Sequence, residues 1–517
     1  MLNGRLYRAA FAPFVVALAV AAFSLSAPPR PLTSTLAPDA FNGSLAFAEL
    51  NGLAVEFPDR RPGSRGDEAL GAHIVRTLEG LGGAAHGGFS VRTRRFSAST
   101  IDGERNLTTV IAQRPGSTNS SAIVIFAHRD SAAPGPARAE LSATVALIEL
   151  ARVFAARETK RTIVLVSTSA GSGGAAGAAD FLGHAHGLDA AIVLGDLAGP
   201  LQRVPSVVPY SNGFGSAPLQ LQRTLTDAIT QETGSAPRTP STIGQLAHLA
   251  FALTAGEQGP LDAGGLPATL VSLSGERSPA ATAPVGKERL EAFGRATLSA
   301  IDALDNAPDI SSRMQTGVLV SHKTFPSWAL RLLVATLLFP PLLLAADGLA
   351  RLRRRSPRGS RLLARSLGWV LTCAIPFFAC AVFARLLGFS GILGGAVSAA
   401  ARPGELPFGA AAASAVVAAG LVLALAWVLW PMLVRRLRLD VRPHADGAGL
   451  AMLFVLLGVC ALVWALDPFT ALLMLPALHL WLLIVSPELR PGRLGTLALL
   501  ALALLPLALL VAFYADQ

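Results

Sequence analysis

Beyond Ser327 the chain carries six long apolar stretches, at 327–346, 366–387, 409–430, 448–466, 469–485 and 494–514. Each is long enough, or nearly so, to cross about 30 Å of hydrocarbon as a helix. In lipid the backbone must satisfy its own hydrogen bonds, so runs of this kind admit helices and little else. A further apolar segment, 9–27, follows Arg5 and Arg8 and precedes the connector Pro28-Pro-Arg-Pro31. Its end, Leu25-Ser26-Ala27, is small enough in side chain to suit a cleaved signal peptide. An uncleaved signal anchor is the reading preferred here, which makes about seven transmembrane helices in total. At 52% hydrophobic residues over 517, the chain suits a membrane region joined to one globular domain.

The charges orient these spans. Arg351, Arg353, Arg354, Arg355, Arg358, Arg361 and Arg365 crowd one loop, Arg435, Arg436, Arg438 and Arg442 the next alternate loop, and Arg490 and Arg493 the last. Loops rich in arginine stay in the cytoplasm. With Arg5 and Arg8 also inside, the large domain and the C-terminus fall on the extracytoplasmic side of a plasma membrane. The net charge of +10 therefore points to lipid headgroups, and no basic patch interleaved with aromatics suggests nucleic acid. Cys373, Cys380 and Cys460 all lie in expected spans, so the exported domain cannot depend on disulfides. Few ionisable residues sit deep in the spans, which leaves a transporter with a regulatory ectodomain as the weakest reading. His479 reads as a polar helix contact and not a proton relay, and Pro340-Pro341 as a kink. The resulting map is a signal anchor and connector (1–41), an extracytoplasmic domain (42–305), a polar linker (306–326) and a six-helix membrane domain (327–517).

Within 42–305 the pattern alternates between strand and helix. Ala122-Ile-Val-Ile-Phe-Ala127 reads as a buried strand that emerges at His128-Arg129-Asp130. His128 and Asp130, two residues apart on an extended chain, share one side. A helical run, 139–152, and a second apolar strand, 162–166, complete a crossover unit before the small-residue turn Gly171-Ser-Gly-Gly-Ala-Ala-Gly177. That turn lacks the Lys-Ser/Thr ending of a phosphate loop, and Ala170 breaks the Gly-x-Ser-x-Gly spacing of a nucleophile elbow. His184-Ala-His186 reads as a solvated helix end, since helical neighbours lie three or four residues apart.

These residues resemble the co-catalytic zinc aminopeptidases of peptidase family 28, whose relatives include glutamate carboxypeptidase, the transferrin receptor ectodomain and nicastrin. The match runs without gaps through 162–182 and more loosely from about 50 to 304, with Arg61-Pro-Gly-Ser64 and Gly265-Leu-Pro-Ala268 as supporting pieces. The resemblance implies an α/β ectodomain, a mixed central sheet flanked by helices, joined to an all-α transmembrane bundle. It assigns a metal ligand to His128, the aspartate that orients such a ligand to Asp130, and a terminal ligand to Asp196. The remaining positions have changed. The bridging aspartate falls on Ala139, the general-base glutamate on Gly171, the adjacent ligand glutamate on Ser172 and the last ligand histidine on Arg277, while an Asp-His-x-Pro segment reads Glu257-Gln258-Gly259-Pro260.

A hydrolytic zinc centre needs about three protein ligands per ion and a base for its water. Ala, Gly and Ser supply neither. The expectation is a vestigial cleft at His128, Asp130, Gly171, Ser172 and Arg277, with no cofactor, in a pseudopeptidase that binds a peptide or partner protein. The alternative is a metallo-aminopeptidase or carboxypeptidase holding a single zinc at His128 and Asp196, with Glu140 as a third ligand. Arg277 stands where a zinc ligand would be. Its guanidinium either replaces the missing cation beside Asp130 or Asp196 or points from a loop to solvent.

Overall fold

The computed structural model describes residues 4–34, 38–81, 88–118, 120–200, 206–237, 240–320, 323–355, 358–389, 410–439, 447–485 and 491–516. They form two compact units. One is Pro28–Thr316; the other joins Met1–Ala27 to Gly317–Gly394 and Pro407–Asp516.

The first unit is built on a mixed seven-stranded sheet. Its strands are β1 (Ser90–Thr100), β2 (Gly103–Arg114), β3 (Ala122–His128), β4 (Ile163–Thr168), β5 (Leu188–Leu194), β6 (Val207–Val208) and β7 (Ala268–Val271), in the order β1-β2-β4-β3-β5-β7-β6. The central strands β4, β3, β5 and β7 run parallel, while β1, β2 and β6 pair antiparallel at the two sides. Helices cover both faces, and strands covered on both faces read as unbroken apolar runs. All six residues of β4 are accordingly buried, and six of the seven in β3. Edge strand β1 instead shows alternating exposure and carries Arg92, Arg94 and Arg95, charges that discourage pairing with another chain.

Local sequence starts the flanking helices. Asn42 caps Gly43–Glu56 by accepting from the Leu45 amide at 3.0 Å, and Ser64 caps Arg65–Gly80 by accepting from Asp67 at 3.2 Å. One face of the sheet buries Leu50, Ile74, Leu147 and Ile301 from four helices. On the other, Phe126 meets Phe181 edge to face, 5.1 Å between centroids, beside Val166 and Leu261.

The connections fix where a site can form. From β3 the chain passes through helix Arg138–Ala155 to β4 on one side, and then to β5 on the other side of β3. Open parallel sheets bind ligands beyond the carboxyl ends of their strands, where the winding reverses. His128 ends β3 at that point.

The second unit is mainly helical. Among the described residues six helices are long and apolar enough to cross a membrane: Gly4–Phe23, Ser327–Arg355, Gly359–Leu387, Ser414–Arg436, Ala448–Leu466 and Arg493–Tyr514. The expected span at 469–485 is a shorter apolar helix, Pro468–Ile484. Asp467 starts it, accepting from the amides of Phe469 and Thr470 at 3.0 and 2.9 Å. Seventeen residues at the helical rise reach about 26 Å, slightly less than a typical hydrocarbon core. The expected span at 366–387 contains a break at Ala374, two residues before Pro376, which cannot donate within a helix. A two-stranded ribbon, β8 (Val318–Val320) with β9 (Lys323–Phe325), lies where the sequence suggests a polar linker.

Candidate functional site

The carboxyl ends of β3, β4, β5 and β7 bring together four loops. His128 ends β3, Gly171 and Ser172 follow β4, Asp196 follows β5, and Ser272 to Pro279 follow β7. With Glu140, Glu257 and Arg277, these loops line a cavity of about 30 Å³. That volume holds one or two water-sized groups, whereas pockets for drug-sized ligands run from about 300 Å³ upward.

Asp130 does not serve His128, as the resemblance implied. Its Oδ1 accepts from the Gly171 amide at 3.0 Å, and its Oδ2 accepts from the Ser172 amide at 3.0 Å and the Ser172 hydroxyl at 2.5 Å. The carboxylate therefore clamps the turn after β4. Hydrogen bonds to an ionised acceptor are among the stronger ones available to a protein. The turn in turn packs directly on His128. A Cβ built on Gly171 would stand 2.3 Å from His128 Cβ and 2.6 Å from its Cγ. No side chain fits at Gly171 while His128 keeps this conformation, and that excludes the glutamate that the resemblance would place there.

Asp196 is consumed in the same way. Its Oδ1 accepts from the amides of Ala198 and Gly199 at 3.1 and 2.6 Å, and its Oδ2 from the Ser274 hydroxyl at 2.5 Å. Burial pushes its pKa up, opposed by these bonds and by the charge of Arg289. The cation felt by Asp196 is thus Arg289, which also donates to the Ala198 carbonyl at 3.1 Å. Arg277 lines the cavity and is half-buried. Ala139, at the bridging position, is buried in the first turn of helix Arg138–Ala155.

Glu257, named in the sequence only as a departure from a motif, arrives beside His128. It precedes the helix Gln258–Ala263; its Oε1 accepts from Thr168 Oγ1 at 2.5 Å, and its Oε2 lies 3.9 Å from His128 Nδ1. Glu140 enters from the helix after β3. Burial raises Glu140 to about 7 against the opposing pull of His128 and raises Glu257 for the same reasons. Glu140 Oε1, Glu257 Oε2 and His128 Nε2 are buried atoms with no hydrogen-bond partner among the described residues. Glu276 is a further buried carboxyl on this cavity, raised to about 7 by burial, with His248 Nε2 at 3.9 Å and Tyr210 stacked on that imidazole at 3.5 Å. Motif matching missed Glu276, which directly precedes Arg277.

Two buried arginines hold this wall from behind. Arg60, fully buried, donates to the carbonyls of Phe57 (2.6 Å), Pro136 (3.1 Å), Ala137 (3.2 Å) and Arg129 (3.3 Å). Arg129 reaches the carbonyls of Asp67, Thr108 and Ser167, and pairs with Asp67 Oδ1 at 2.9 Å. Their work is to tie loops and strands together.

These residues do not fit the zinc centre that the resemblance implies. No group of three or more His, Cys, Asp or Glu able to hold a metal ion occurs among the described residues. Both oxygens of Asp196 are engaged, and the turn that would supply a base and a ligand is closed onto His128.

Residues 109–245 match the model of peptidase family M28. No curated protein matches the chain. Among solved structures the chain is similar to LapB from Legionella pneumophila, at 15% identity and a TM-score of 0.43, over 57% of this chain and 81% of that one. It is also similar to BSAP, a zinc aminopeptidase from Bacillus subtilis, at 10% identity and 0.40, over 53% and 97%. A glutaminyl cyclase from an Acidobacteriales bacterium follows at 16% identity and 0.39, over 54% and 97%.

Proposed function

We propose that the Pro28–Thr316 unit is a peptidase-like module that binds a polypeptide without hydrolysing it, held at the extracytoplasmic face of a plasma membrane by its helical unit. One observation carries this reading: Asp130 clamps the Gly171-Ser172 turn against His128, so the place of the catalytic base is filled by the imidazole. A hydrolase requires nucleophile, base and oxyanion stabiliser in mutual reach. Here the residue types and their bonds serve the turn instead.

The cavity suits a positively charged group on the partner, because such a group draws Glu140 and Glu257 back into the ionised form that burial disfavours. An amino terminus or a lysine head offers three donors to the free atoms Glu140 Oε1, Glu257 Oε2 and His128 Nε2. The arginine-rich loops facing the cytoplasm orient the bundle, with anionic lipid as their partner.

The test uses the full chain in lipid nanodiscs. Zinc content is measured by elemental mass spectrometry after dialysis against trace zinc, with a His128→Ala control, and turnover is assayed on aminoacyl 4-nitroanilides. Well under one ion per chain and no chelator-sensitive turnover are expected. About one ion per chain, lost in the control and accompanied by chelator-sensitive turnover, would establish the single-metal hydrolase in its place.

A further inference from the structure

Helix Ser327–Arg355 continues through Pro340 and Pro341. A proline has no N–H, so Pro341 leaves the carbonyl four residues earlier, that of Leu337, without its helical donor. In hydrocarbon no water is at hand to replace it. His479, on helix Pro468–Val485, places Nε2 3.1 Å from that carbonyl oxygen. An oxygen acceptor at this distance requires the proton on Nε2, and a neutral imidazole then presents a bare Nδ1. Tyr7 hydroxyl lies 2.8 Å from Nδ1 and donates to it. The rings of Tyr7 and Phe11 also pack on the imidazole, with centroids 6.1 and 5.9 Å away.

A second, separate observation concerns the small-residue stretch after the first helix. Ser26 bridges antiparallel to Thr324 of β9: its amide donates to the Thr324 carbonyl at 3.3 Å, and the Thr324 amide donates back at 2.9 Å. A protease that cuts after small residues must take that backbone in extended form, and here both of its bonding groups at Ser26 are spent. Between the two points Ala10, Ala17 and Ala21 are almost fully buried, the small side chains through which helices approach closely in a bilayer.

We propose that Tyr7, His479 and the Leu337 carbonyl form a polar lock that makes helix Gly4–Phe23 a permanent member of the membrane bundle, with Leu25-Ser26-Ala27 left uncut. The lock repairs the backbone defect made by Pro341 and uses it to select a neighbour. It is independent of what the α/β unit binds.

The experiment takes the full chain, tagged at its C-terminus and purified from membranes, and reads intact mass and the N-terminal peptide. Retention of Tyr7 in the purified chain is expected; a mature N-terminus at Pro28 would overturn the proposal. Thermal unfolding of Tyr7→Phe, His479→Leu and the double variant then reads the lock. Each single change should lower the midpoint by several degrees, and the double by little more than the worse single, because both break one chain of bonds. Unchanged midpoints, or additive losses, would overturn the lock even with the N-terminus intact. If His479→Leu does not fold, Tyr7→Phe alone decides, since it removes one hydroxyl and keeps the ring.

Discussion

Replacing Gly171 by alanine is the sharpest probe of the closed turn. Gly171 is not among the residues with positive φ, so alanine there carries no backbone strain of the left-handed kind. The entire cost comes from contact, with His128 Cβ and Cγ at 2.3 and 2.6 Å from the added carbon. Neither can give way as the end of a flexible chain would: Cβ is fixed to strand β3, and the turn is held by the three bonds to Asp130. Overpacking of a tight site costs about 1–3 kcal/mol, and stretching one of the bonds to a carboxylate adds about 1.5 kcal/mol or more. A total of about 3 kcal/mol follows. For a unit of this size that lowers the melting midpoint by roughly 6–12 °C. The assay is differential scanning fluorimetry of the full chain, with His128→Gly as second background because glycine removes both offending atoms. Most of the Gly171→Ala penalty should vanish there, as expected for residues in contact. An unchanged midpoint for Gly171→Ala, or an equal loss in both backgrounds, would refute the packing argument and reopen room for a catalytic side chain.

Two further outcomes test the wall of the cavity. Arg60→Leu keeps bulk but removes the donor that four carbonyls share, together with a buried charge; a loss of about 3–5 kcal/mol is expected in denaturant unfolding, and one under 1 kcal/mol would show those bonds to be dispensable. Glu140 is raised by burial from 4.5 to about 7, so the unfolded chain ionises first as pH rises. Its contribution is full below about pH 4.5 and is lost progressively until pH passes about 7. Glu140→Gln should therefore gain stability relative to the parent between pH 5 and 8, and parallel midpoint curves would rule out a buried, protonated Glu140.

Much of the architecture is legible in the sequence because it rests on periodicity. The runs at 122–127 and 162–166 are apolar without alternation, which two-sided burial demands, and they are β3 and β4. The apolar stretches after Ser327 read as helices from their length and lack of charge, and their described residues are helical but for the break at Ala374. That Gly171 and Ser172 stand in the turn after β4 is a matter of residue identity alone.

What those residues do instead depends on chain segments far apart in sequence. Asp130 reads as an orienting partner for a metal ligand, yet its oxygens bond a turn 41 and 42 residues away. Glu257 meets His128 across 129 positions only because the turn into helix Gln258–Ala263 is brought to the carboxyl end of β3. His479 has no local cue for its role, since the carbonyl it serves is 142 residues away on another helix. Composition and spacing act through the few residues on either side, and so they determine the elements and the apolar stretches. Which buried acceptor finds which donor is decided by packing, because a polar group taken out of water bonds whatever the tertiary fold brings within 3 Å.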